Sequence, residues 1–180
     1  MDGPVVPQEI TPDGRSLIYQ QLDQQGGWDI YMRPLDGAAA TPLIQSGQND
    51  QDPAISPDGR FLAYSSPESG GRQIWLTAVP VDGRRWRVSS DYGREPSWSA
   101  DGRTLYYHGL NKTLMQVSVD LRPPTPVIGA PRALFVIPFR GYDVRSHYGV
   151  LPDAQRFLVA PPATAVPADN ATVVLNAPLP

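Results

Sequence analysis

The amino-acid sequence predicts an all-β fold of the β-propeller type, with about four four-stranded antiparallel blades that make up part or half of a larger propeller. Three observations lead there. One phrase recurs: Thr-Pro-Asp-Gly-Arg at 11–15, Ser-Pro-Asp-Gly-Arg at 56–60, Ser-Ala-Asp-Gly-Arg at 99–103, and a worn copy, Leu-Pro-Asp-Ala-Gln, at 151–155. Measured on the fourth residue of each copy (Gly14, Gly59, Gly102, Ala154), the spacings are 45, 43 and 52 residues, which is the period of a propeller blade. Around each copy the apolar residues alternate with strand periodicity, and no segment of any length carries a helical period.

Each copy has the chemistry of a tight hairpin turn. Proline presets φ for the second turn position, aspartate bonds to nearby backbone amides, and glycine accepts the left-handed conformation that closes the reversal. Ala154 has a Cβ that opposes that conformation by about 1 kcal/mol, so a relaxed turn is expected there. The apolar flanks match across the copies. Ile10, Ile55, Trp98 and Val150 stand four residues before the ruler position, Leu17, Leu62, Leu105 and Phe157 three after it, and Tyr19, Tyr64, Tyr107 and Val159 five after it.

Taken in order, the first blade occupies about 1–46, with strand residues at Val5-Val6 and near Gln8-Glu9-Ile10 and a flexible tip at Gln24–Gly27. Gln48–Gln51 reads as a polar crossover into a second blade, about 47–90, whose own tip is Pro67–Gly71. A third blade covers about 91–138, with a proline-rich connection from Leu121 to Pro131. The fourth covers about 139–180, opens near Tyr142 and ends in a strand at 171–176. Third strands lie at Asp29–Met32, Gln73–Leu76, Thr113–Gln116 and Thr172–Leu175, and fourth strands at about 40–45, 85–89 and 132–137. The four blades are expected to form a single domain.

The phrases Asp52-Pro53-Ala54-Ile55-Ser56-Pro57-Asp58-Gly59-Arg60 and Glu95-Pro96-Ser97-Trp98-Ser99-Ala100-Asp101-Gly102-Arg103 resemble the repeat of TolB-type β-propellers. Each is followed by its Leu-x-Tyr strand and its Ile-Trp or Leu-Met strand, and the resemblance runs over nearly the whole chain. The Trp-Asp pair that ends blades of WD-like propellers is absent from the equivalent positions, and Trp28-Asp29 opens a strand instead. The resemblance implies a bacterial protein on the extracytoplasmic side. It implies a non-catalytic module for protein–protein interaction, the sensory or scaffold part of a longer chain. The alternative it leaves open is an enzyme part, either the propeller gate of a prolyl-oligopeptidase-like serine peptidase or a polysaccharide-active propeller.

Propeller sites sit mostly at the channel mouth, on the approach to each innermost strand. Seven residues before the ruler stand Pro7, Asp52, Glu95 and His147, with Arg94, Arg145 and Tyr142 close by. Asp52, Arg94, Glu95, Tyr142, Arg145 and His147 are therefore the candidate partner-binding residues. Arginine forks there suit a carboxylate or phosphate. Against this stands a plainer reading, a solvated rim whose acid–arginine pairs join blades. The four tryptophans read as core or blade-face residues, with Trp86, between Arg85 and Arg87, the most exposed.

Several function classes are excluded. With no cysteine there is no disulfide, thiolate metal site or cysteine nucleophile. Two histidines far apart in the repeat cannot build the metal cluster of pectin-fragment lyases, and the Asp-Gly pairs lack calcium-loop spacing, so neither metal nor cofactor is expected. No Gly-x-Ser-x-Gly elbow occurs, and no catalytic residue is assigned. A net charge of −3 with dispersed arginines speaks against nucleic acid. No apolar run reaches the roughly 20 residues of a membrane helix, and the first residues do not read as a signal peptide. No fourth strand follows Leu175, so the blades belong to a larger propeller, a four-bladed ring, or a half-ring completed by a second copy, the first being favoured. Open blade faces predict self-association of the chain as a homodimer.

Overall fold

Each of the four copies of the repeated phrase closes a hairpin, and the four turns share one bonding scheme. The amide of the ruler residue donates to the carbonyl three residues back: Gly14 to Thr11 at 2.8 Å, Gly59 to Ser56 at 2.8 Å, Gly102 to Ser99 at 2.9 Å and Ala154 to Leu151 at 2.9 Å. In the second turn the Ser56 hydroxyl donates to Asp58 Oδ1 at 2.6 Å and accepts from the Phe61 amide at 3.0 Å. Thr11 and Ser99 act the same way on Asp13 and Asp101, each at 2.6 Å. The bond from Thr11 holds the Asp13 carboxyl below its usual pKa, and the bond from Ser99 does so for Asp101. In the worn copy Leu151 has no hydroxyl, and Asp153 is held instead by Arg156, whose Nε donates at 2.5 Å. The expected relaxed turn is not what forms there. Ala154 keeps a left-handed φ of 55° like its glycine counterparts, because the strands on either side hold the turn closed.

The computed structural model describes residues 3–67, 71–137, 148–154 and 156–159, together with the backbone of 172–175. Its strands form four antiparallel sheets in sequence order. The first contains β1 (Val5–Ile10), β2 (Ser16–Leu22), β3 (Trp28–Pro34) and β4 (Thr41–Ile44). The second contains β5 (Gln51–Ile55), β6 (Phe61–Ser66), β7 (Gln73–Ala78) and β8 (Arg85–Arg87). The third contains β9 (Arg94–Trp98), β10 (Thr104–His108), β11 (Thr113–Asp120), β12 (Val127–Ile128) and β13 (Arg132–Val136). In the fourth, β14 (Tyr148–Val150), β15 (Arg156–Val159) and β16 (Thr172–Leu175) follow one another. Among the described residues the sole helical element is a 3-10 turn at Leu110–Lys112. The short strand β12 lies inside the stretch expected to be a proline-rich connection. The eight-residue β11 is long enough to pair with both β12 and β13.

The chain divides into two compact units, residues 1–96 and 97–180. In the first, the core lies between two sheets: Ile18, Ile30, Leu43 and Ile44 meet Ile55, Leu62 and Tyr64, with Met32, Trp75 and Val79 packed at the margin. Each such aliphatic side chain stabilises by about 1.5–3 kcal/mol when removed from water. In the second unit Tyr106, Leu114 and Ile137 pack with Tyr148, Phe157 and Val159. The Phe157 ring stands edge-on to Tyr106 at 5.2 Å and to Phe135 at 5.5 Å.

Further expectations change in the structure. Ile10, matched to buried Ile55 by spacing, is 47% exposed; it pairs with Leu17, on the face of the first sheet away from Ile18. Trp86 is only half-buried, because its ring packs edge-on to Phe61 at 6.2 Å. The tip near Gly26 is fixed, since Asp23 Oδ1 accepts from the amides of Gln25 and Gly27, both at 2.8 Å. Within the polar crossover Asp50 is fully buried and accepts from the Ser46 hydroxyl at 2.6 Å. The second-blade tip is described only at Pro67 and Gly71; residues 68–70 lie outside the described residues.

Candidate functional site

Asp52 and Glu95 do not sit on loops before their strands, as the spacing implies, but inside β5 and β9. Both have left-handed backbones, φ 55° and 52°, an arrangement that costs a non-glycine residue about 1–2 kcal/mol. In β5 the pairing register slips between Gln51 and Ala54, so Asp52 lies on a bulge that turns its carboxylate out of the ladder. Pro7, the equivalent residue of the first blade, cannot adopt positive φ, and there the register slips between Pro7 and Glu9.

The Asp52 carboxylate is the hub. Its Oδ2 accepts from the Ser65 hydroxyl at 2.8 Å and from the Glu95 amide at 3.3 Å, and Arg94 Nε lies 3.7 Å away. The Asp52 amide in turn donates to Gln20 Oε1 from the first sheet. Three of the six sequence candidates, Asp52, Arg94 and Glu95, therefore meet within the first unit. Tyr142, Arg145 and His147 lie outside the described residues.

Sequence spacing misses a fourth member. Arg72, just before β7, donates from Nη1 to the Ser65 hydroxyl at 3.0 Å. Burial depresses its pKa; the Asp52 charge opposes that shift and the neighbouring positive charge of Arg94 adds to it. Backbone bonding fixes the two arginines: the Gly93 amide donates to the Arg72 carbonyl at 2.9 Å. Gly93 is required at this close approach, because a Cβ there would lie 2.5 Å from Ile74 Cγ1. The stretch between β8 and β9 is tied down by Gln73, which bonds the Asp91 carbonyl at 2.6 Å and the Ser89 hydroxyl at 2.6 Å. Only the Gly-Arg-Glu-Pro string at 93–96 could have signalled this from sequence, since Arg72 precedes its strand with no repeated partner.

Arg94 Nε is a buried donor with no hydrogen-bond acceptor among the described residues. Such an orphan costs about 1–3 kcal/mol. No group of three or more acidic or histidine residues among those described could hold a metal ion. No helix of the described residues is long and apolar enough to cross a membrane.

Four successive antiparallel sheets, three with an Asp-Gly hairpin turn and the fourth with its Asp-Ala counterpart, define a β-propeller chain. The protein belongs to the TolB beta propeller domain family, whose pattern matches residues 3–124. Among curated proteins it is similar to an uncharacterized protein of Agrobacterium fabrum, 37% identical over 94 residues, covering 51% of this chain and 32% of that protein. It is also similar to the Tol-Pal system protein TolB of Geobacter sulfurreducens, 38% identical over 78 residues, 42% of this chain and 18% of that one. A peptidase relative, tricorn protease homolog 1 of Streptomyces coelicolor, is 29% identical over 98 residues, 52% of this chain and 8% of that one. The chain thus spans at most about a third of the length of these relatives. In three dimensions it resembles TolB from Acinetobacter baumannii, with a TM-score of 0.59 at 19% identity over 95% of this chain and 40% of that one, a likeness of fold.

Proposed function

We propose that this chain is a non-catalytic binding module, part of a larger bacterial protein on the extracytoplasmic side, that takes a protein or peptide partner at the propeller's channel mouth. The observation that carries the reading is the repeated strained acid. Asp52 and Glu95 hold the same place in successive repeats with the same left-handed backbone, and strain of this kind is kept where a site depends on it. Tyr142, Arg145 and His147 complete the rim in this reading, and the similarity to TolB supports the module's class and its compartment. The isolated chain self-associates through the open blade face that carries Ile10.

A photo-crosslinking residue at Asp91, in the parent protein within its native cell, tests the reading. The expected result is a protein adduct of one mass that is absent from the equivalent probe at exposed Arg122 and lost when Asp52 and Glu95 are both alanine. Adducts that persist in that double variant overturn the site. A second reading, the propeller of a peptidase, is favoured by the tricorn relative. Labelling of the parent by a serine-reactive phosphonate would support it.

A further inference from the structure

The geometry points to the Arg72–Arg94 pair as a receptor for a carboxylate, supplied by the partner as an acidic side chain or a chain end. The inference deepens the rim reading and rests on it. A guanidinium offers five donors in a planar fork that matches the two oxygens of a carboxylate, so a half-buried fork with its Nε donor to spare suits that group. Arg94 Nε is buried without a hydrogen-bond acceptor among the described residues, and its nearest carboxylate oxygen, on Asp52, stands 3.7 Å away. That oxygen is already engaged by the Ser65 hydroxyl and the Glu95 amide, which leaves it little capacity for Arg94. Arg72 is held nearby through Ser65 and feels the charges of Asp52 and Asp50 across space.

The chain has done the positioning in advance. Ser65 is fully buried, accepting from Arg72 and donating to Asp52, so Arg72 is held beside the Asp52 carboxylate before a ligand arrives. The Gly93–Arg72 backbone bond sets the spacing of the two side chains. Two cations beside one hydrogen-bonded carboxylate suit a single negative charge. A phosphate dianion would meet Asp52 as a second repelling neighbour.

The test is carboxylate titration of the 180-residue chain, read at the arginine Nε–Hε resonances by NMR. N-acetylglycine stands for a chain end, N-acetylglutamate amide for a side chain, N-acetylglycinamide for the neutral control and inorganic phosphate for the rival anion. A saturable shift of the Arg94 resonance is expected with either carboxylate at millimolar concentration, none with the neutral amide, and at least a tenfold loss of affinity in Arg72→Gln. The stronger of the two carboxylates identifies the source. The remaining arginine resonances report whether each variant keeps its fold, and Arg72→Lys offers a second, milder variant should the glutamine fail to fold. A shift shared by all arginines without saturation, tighter binding of phosphate, or unchanged affinity in a folded Arg72 variant overturns the proposal. If the Asp91 adduct forms while Arg94 stays silent, the carboxylate assignment falls and the rim reading stands; carboxylate binding without any adduct gives the reverse.

Discussion

Glu9 reaches from β1 of the first sheet to the second, where it accepts the Ile55 amide. Burial lifts its pKa from 4.5 to about 7, with the bond from Ile55 pulling partly the other way. A carboxyl whose folded pKa is raised binds its proton more tightly when folded. Its contribution to stability is therefore fully present below pH 4.5 and is lost as pH rises through 7. The side chain is half-buried, and after discounting for solvent the loss is about 2 kcal/mol across that window. Urea denaturation at pH 4.5 and pH 8 should show the decline, and Glu9→Gln should flatten it; an unchanged slope in the variant would exclude Glu9 as its source. At this same scale the repeat ruler reaches Asp52, Arg94 and Glu95, since each recurs at or beside a fixed distance from a turn. It cannot reach Arg72, Ser65 or Gln20, which join the cluster across strands through pairing that no linear spacing encodes.

The hairpin turn is the element that the sequence specifies most completely, because its serine or threonine, aspartate and glycine each serve one bond or one torsion within five residues. The fourth copy retains the geometry without the glycine. Ala154 bears a left-handed φ of 55°, and replacing it by glycine should relieve about 1–2 kcal/mol of strain against roughly 0.5–1 kcal/mol of added chain entropy in the unfolded state. Calorimetry of Ala154→Gly should record a rise in Tm of roughly 1–4 °C, and a Tm at or below the parent's would show that the turn carries no strain. The strand β12 was less legible. Two residues, Val127 and Ile128, between prolines carry no alternation to read, and only the surplus length of β11 gives them a partner.

At the scale of the molecule, sheets bury their faces against one another, and a face without a neighbour invites one. The first sheet's face away from Ile18 carries Ile10, 47% exposed. Light scattering on the isolated chain is expected to give a mass that climbs with concentration above 19.7 kDa, whereas a constant 19.7 kDa would remove self-association from the account. The sequence by itself determined the all-β class, the repeat, the hairpin turns and the equivalent places of Asp52 and Glu95 in successive repeats, because these depend on local torsions and on alternation along one strand. Only the tertiary structure decided that Asp52 and Glu95 take left-handed backbones inside strands, that Arg72 joins Arg94, and that Ile10 is exposed while its counterpart Ile55 is buried. Those outcomes depend on which strands become neighbours, and residues far apart in the chain settle that by sharing a core.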